Sequence, residues 1–151
     1  MDNLNNTTLN ITEIFYSLQG EAKEVGIPTV FVRLTGCPLR CNYCDTAYAF
    51  KGNNPLSIES IMEQVEKYNT HYVCVTGGEP MAQRNCLILL DTLIEAGYKV
   101  SMETSGSIDI SPVNKKVSVV MDLKTPSSTE QSQNRYENIA LLESKDQLKF
   151  V

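Results

Sequence analysis

The chain has 151 residues, 42% of them hydrophobic, with 13 Lys and Arg against 18 Asp and Glu for a net charge of −5. That length buries one core and reads as a single domain. The acidic balance, with no cationic cluster, argues against a protein that binds by neutralising phosphates. No apolar run approaches the ~18 residues of a membrane span. Residues 1–10 lack the basic and apolar regions of a secretory signal. A partner with one local anionic group is still compatible, because a single Arg holds a carboxylate whatever the net charge.

In chain order, residues 1–10 are rich in Asn and Thr and predict a flexible tail, with the domain occupying residues 11–151. Residues 11–16 form a short β-prone stretch, and residues 29–35 a stronger strand bounded by Pro28 and Gly36. A cysteine-bearing loop runs from there to about Pro55. Ser57 then caps a helix whose Ile58, Ile61, Met62, Val65 and Tyr68 share one face. Residues 72–76 are a continuous apolar run broken by Gly77, Gly78, Glu79 and Pro80. A second helix spans residues 82–96, with Gly97 stopping it. Residues 98–102, 117–121 and 147–151 are further strands, the last preceded by a weaker helix over 134–143. This β-α-β-α-β alternation predicts a parallel sheet with helices outside it, either an open α/β sheet or a full or partial β/α barrel.

Five cysteines are an odd count, and Cys37, Cys41 and Cys44 crowd into eight residues. Without an export signal the pattern reads as metal or cluster ligation in a reducing, cytoplasmic setting. A structural zinc site closes with four ligands. The remaining candidates are poor: Cys74 lies in an apolar strand, Cys86 on a buried helix, and His71 just ahead of a strand. Three thiolates instead suit a four-iron cluster with one iron left open, zinc being the competitor. The loop follows a strand directly, and the carboxyl ends of parallel strands are where α/β folds place chemistry.

With Tyr43 just before its last cysteine, this C-x3-C-x2-C loop resembles the signature of the radical S-adenosylmethionine (SAM) enzymes. The Thr76-to-Pro80 segment resembles their GGEP motif. The resemblance implies a [4Fe–4S] cluster on Cys37, Cys41 and Cys44, whose open iron is chelated by SAM and whose reducing electron yields a deoxyadenosyl radical. Five further segments narrow it: Phe15 to Glu21, Val32 to Cys37, Cys44 to Thr46, Glu103 to Gly106, and Asp122 to Ser128. All resemble the 7-carboxy-7-deazaguanine synthase family of queuosine biosynthesis, across residues 11–151.

That likeness implies a partial β/α barrel of the radical SAM type. The chain halts within the strand 147–151, so the family's last βα elements are expected to be missing. It implies a lyase that turns 6-carboxy-5,6,7,8-tetrahydropterin into 7-carboxy-7-deazaguanine with loss of ammonia. Leu18, Gln19, Gly20, Arg33 and Thr76 would meet the substrate, Arg33 gripping its carboxylate. Tyr43, Cys44, Asp45, Gly78, Glu79, Asp122, Leu123 and Lys124 would meet SAM, with Glu79 pairing its ammonium. Thr46 would ligate Mg2+. A homodimer and an electron donor such as flavodoxin are implied, with no nucleic acid and no membrane.

Plainer roles stand beside these. Arg33 suits a buried ion pair, Gln19 to Glu21 and Asp45 suit turns, Thr46 a helix cap, and Lys124 a solvated loop. Two other functions share the motifs: an activating enzyme for a glycyl-radical protein, and a small non-enzymatic zinc module.

Overall fold

A computed structural model describes Leu4 and residues 6–151. Of the tail expected over 1–10, residues 1–3 and 5 lie outside the described residues, and the end of that tail is corrected. Strand β1 is Thr8–Leu18. Thr8, Leu9 and Asn10 pair with the short β3, Pro55–Ser57. Leu9 and Ile11 are 1% and 2% exposed, so apolar burial fixes these residues in the sheet despite their polar neighbours.

Strand β2, Pro28–Leu34, runs antiparallel to β1, so the expected parallel sheet carries an antiparallel strand at its start. The nine residues between them are too few for a parallel crossover, which needs a dozen or more. From β2 onward the pairing is parallel through β4 (Tyr72–Gly77), β5 (Lys99–Thr104), β6 (Ser118–Leu123) and β7 (Gln147–Phe150). The order across the sheet is β3-β1-β2-β4-β5-β6-β7.

Among the described residues, two α-helices cover the outside. Helix α1, Ile58–Val65, starts where the Ser57 hydroxyl accepts the Ser60 backbone N–H at 3.1 Å, and it buries Ile58, Ile61, Met62 and Val65. Helix α2, Cys86–Glu95, buries Cys86, Leu89, Leu90 and Leu93. It begins later than the expected residue 82, because Pro80–Ala82 form a 3-10 turn and Gln83 then reverts to extended backbone.

The helix expected over 134–143 is a 3-10 turn, Tyr136–Leu141. Its Asn138 side chain is fully buried. It donates to the carbonyls of Gly106 (2.9 Å) and Ile108 (2.8 Å) and accepts from Ile110 N at 3.3 Å. This flank of the sheet thus adds directed polar bonds to its apolar packing, with no α-helix over it.

The sheet curls far enough for its distant strands to meet. In the β1–β2 loop, Lys23 Nζ donates to the carbonyls of Ser144 (3.0 Å) and Lys145 (3.1 Å), and Glu21 pairs with Lys149 on β7. The result is a partial barrel whose first strands approach its last through a polar strap. Among the described residues, no helix is long and apolar enough to cross a membrane.

Candidate active site

The loops at the carboxyl ends of β2, β4, β5 and β6 enclose a cavity of about 300 Å³. Beyond β2, Gly36 takes a φ of +98°, a left-handed turn that glycine adopts without strain. The chain then presents Cys37, Cys41 and Cys44 to the cavity, all as half-buried free thiols. Neighbouring segments fix this loop. Arg40 N donates to Glu130 Oε1 at 2.5 Å, and Asn42 N to the Ser128 carbonyl at 3.3 Å. The Arg40 guanidinium folds back onto the Cys37 carbonyl (2.7 Å) and lies 4.3 Å from the Phe50 ring centroid.

Burial pushes the Cys37 thiol up; the Leu39 backbone N–H opposes, and Glu79 and the other two cysteines add to the rise. Burial also raises Cys41, against the pull of Lys124. Cys37 thus feels the charge of both partners. Yet among the described residues no group of three or more His, Cys, Asp or Glu is gathered to hold one metal ion. Neither Cys74 nor Cys86 has any exposed surface, and His71 is exposed at the amino end of β4. The donor set therefore lacks a fourth zinc ligand. It fits a cluster in which each thiolate binds a different iron and one iron is left for another ligand.

The Gly77-Gly78 turn lies flush against the cysteine loop. A Cβ on Gly77 would stand 2.3 Å from the Leu34 carbonyl oxygen. One on Gly78 would stand 2.3 Å from the Gly36 oxygen and 2.7 Å from Cys37 Cβ. Glu79 N donates to the Gly36 carbonyl at 2.8 Å and locks the two loops together.

The role expected for Glu79 is corrected. Its side chain is 0% exposed and is absent from the cavity wall. Thr104 Oγ1 donates to it at 2.9 Å, Ser105 N at 2.7 Å, Ser105 Oγ at 2.5 Å and Met81 N at 2.9 Å. With its lone pairs occupied, the carboxylate ties the glycine turn to the end of β5 and is not free to meet an ammonium.

Arg33 reaches the cavity from β2, its Nε donating to Glu13 Oε1 at 2.8 Å. Thr76 lines the same wall and donates to Glu103 Oε2 at 2.9 Å. Gln19 is buried and donates to Glu103 Oε1 at 3.3 Å, so it meets the cavity only through that residue. Leu18 is 62% exposed, and neither it nor Gly20 lines the cavity. The next residue, Glu21, does stand on the cavity wall, so this turn borders the cavity.

Tyr43, Asp45 and Thr46 stand on the wall; Leu123 does not. Thr46 sits at the start of the 3-10 turn Ala47–Phe50 without capping it, and its hydroxyl lies 3.7 Å from Cys44 Sγ. Lys124 is 9% exposed and pairs with Asp122 at 2.9 Å, so it is no solvated loop charge. Burial pulls its pKa down, but the bond and charge of Asp122 outweigh that and raise it.

Sequence reasoning assigned no role to Glu13, Glu103, Ser105 or Lys149, all of which shape this cavity or its supports. The usable signal for Glu103 was its place at the carboxyl end of a strand. A larger cavity of about 460 Å³ opens at the amino ends of the same strands and holds none of the three loop thiols.

The family model described as the Radical SAM superfamily matches residues 22–128. A 7-carboxy-7-deazaguanine synthase of Koribacter versatilis is 43% identical over 145 residues, covering 95% of this chain and 64% of that protein. Its namesake from Methanospirillum hungatei is 42% identical over 147 residues (95% and 61%). The one from Thermoplasma acidophilum is 36% identical over 143 residues (93% and 68%). The chain thus spans less than two thirds of the length of the first two. The crystal structure of QueE from Escherichia coli superposes with a TM-score of 0.75 at 22% identity, covering 98% of this chain and 86% of that one. That likeness is one of fold.

Proposed function

Because the chain belongs to the radical SAM superfamily and, within it, to the 7-carboxy-7-deazaguanine synthase family, we propose that it serves the conversion of 6-carboxy-5,6,7,8-tetrahydropterin to 7-carboxy-7-deazaguanine with release of ammonia. One observation carries this reading. A single cavity brings three free thiols and a glycine turn to the same place as an arginine fork.

Cys37, Cys41 and Cys44 would hold the cluster. Tyr43, Asp45, the Gly78 backbone, Asp122 and Lys124, which line the same cavity, would meet SAM. Together the cluster and SAM supply a one-electron reduction and a hydrogen-abstracting radical. The rest of the work belongs to the protein. Arg33 offers a planar cationic fork suited to a carboxylate. Thr76 and Gln19 fix the Glu103 carboxylate, an acceptor pair matched to the N–H edge of a pterin ring. Thr46 keeps a hydroxyl unused by capping, a hard oxygen donor suited to Mg2+. Glu79 acts at one remove, by holding the glycine turn. Residues 8–151 form the catalytic domain, working in the cytoplasm as a homodimer with a flavodoxin-type reductant.

The test is direct. The protein reconstituted anaerobically with iron and sulfide is given SAM, Mg2+, reductant and the carboxypterin, and products are read by mass spectrometry. Carboxydeazaguanine with ammonia is the expected result, and its absence from a cluster-loaded protein that still cleaves SAM overturns the substrate assignment.

A further inference from the structure

Arg33 does not reach the cavity alone. Strand β1 pairs with β2 so that Ile11 stands opposite Leu34 and Glu13 opposite Arg33, which leaves Thr12 as one extra residue, a β-bulge. In an unbroken strand residues 11 and 13 share a face. Ile11 is in the apolar core, so an unbulged Glu13 would point its carboxylate there too. The bulge moves Glu13 to the cavity face, directly across from Arg33. The Thr12 hydroxyl lies 2.8 Å from that of Thr35, which anchors the extra residue.

The contacts around the guanidinium are one-sided. Its Nε donates to Glu13 Oε1 at 2.8 Å. The same oxygen accepts from the Tyr48 hydroxyl at 2.8 Å. The guanidinium carbon lies 5.8 Å from the Phe15 ring centroid and 6.0 Å from that of Tyr48. Among the described residues, neither Nη group has a protein partner, and the side chain is only 15% exposed. The Nε is therefore occupied and aromatic rings flank the group, while both Nη groups keep their donors free on a residue that lines the cavity.

We infer that Glu13, carried to the cavity face by the Thr12 bulge and braced by Tyr48, is a positioning residue that holds Arg33 as a fixed two-pronged receptor for the substrate's carboxylate. This rests on the proposed function for the identity of the ligand. It goes beyond that reading in assigning the specificity for a carboxylated substrate to a pair of groups that never touch it. A guanidinium held at Nε loses less rotamer freedom when an anion arrives, and the order it brings is specific to that anion.

The test compares two ligands, 6-carboxytetrahydropterin and tetrahydropterin lacking the carboxylate, on the reconstituted protein. Glu13→Ala should weaken the carboxylated ligand about tenfold in Kd and KM, with kcat little changed, as loss of a charge-assisted contact predicts. The plain pterin should bind the variant as it binds the parent. Glu13→Gln, which keeps an acceptor oxygen, should recover most of the loss, and Tyr48→Phe should cost a few-fold. Glu13→Ala added to Arg33→Ala should cost nothing further.

Equal weakening of both ligands would make Glu13 merely structural and overturn the inference, as would unchanged affinity for the carboxylated one. Should the parent protein bind neither pterin, the proposed substrate falls, and the Arg33 Nε–H still decides the positioning by NMR. Protection from exchange in the parent and its loss in Glu13→Ala supports the inference; equal exchange in both refutes it.

Discussion

The two flanks of the sheet are built differently. Across β2, β4 and β5, helices α1 and α2 press fully buried side chains such as Ile58, Ile61, Leu89 and Leu90 onto apolar strands. Across β6 and β7 the connections contain 3-10 turns and no α-helix. There Asn138 and Asp146 take over, tying loops to backbone through side-chain hydrogen bonds. Both flanks remove apolar area from water, but the second, with no helix over it, also depends on individual directed bonds. The cavity lies where the two meet: its thiols and glycine turn follow β2 and β4, while Asp122, Lys124 and Lys149 come from β6 and β7.

Substitutions rank this difference. Leu90→Ala should cost the most, ~2–5 kcal/mol as a core truncation, read as a lower urea midpoint. Asn138→Ala should cost ~1–3 kcal/mol by stranding buried carbonyls. A far smaller loss there would show that the polar flank is held by something else.

Asp146→Asn comes next, at about 1 kcal/mol near neutral pH. Burial raises the Asp146 carboxyl, but the Glu143 and Val119 backbone N–H groups and Lys145 outweigh it, so the pKa ends below its ordinary 3.8. A depressed carboxylate contributes fully above its unfolded pKa and loses that contribution as pH falls through the folded one. The gap between parent and variant should therefore close below about pH 4; a gap constant down to pH 2 would contradict the assignment. Lys23→Met, at the exposed strap, should change stability by no more than ~0.5 kcal/mol. A shift beyond 1 kcal/mol would make the strap a principal support of the barrel.

What was legible in the sequence follows the same division. Helix α1 declared itself through the Ser57 cap and the spacing of Ile58, Ile61, Met62 and Val65, because periodic burial is written in residue type. The 3-10 turn at Tyr136–Leu141 was misread as a helix, since Ile139, Leu141 and Leu142 mimic a helical face while the decisive bonds belong to Asn138. The cysteine loop and glycine turn were legible because their spacing is local. Glu13 was not: its meaning depends on a bulge, and a bulge is a fact about two strands. Glu79 was assigned to the ligand because a carboxylate after two glycines suits an ammonium. Its actual partners, Thr104 and Ser105, stand 25 and 26 residues further along the chain.

The contact between Gly78 and the cysteine loop has a practical consequence. No methyl group fits between the turn and Gly36 or Cys37, and Glu79 N fastens the two backbones. The two segments therefore move as one body, and a label read at either reports on both. A Gly78→Ala substitution would act as a wedge, forcing the turn off the thiol loop. Its first symptom would be a changed spectrum at the cysteines, although the altered residue carries no sulfur and belongs to another strand's end.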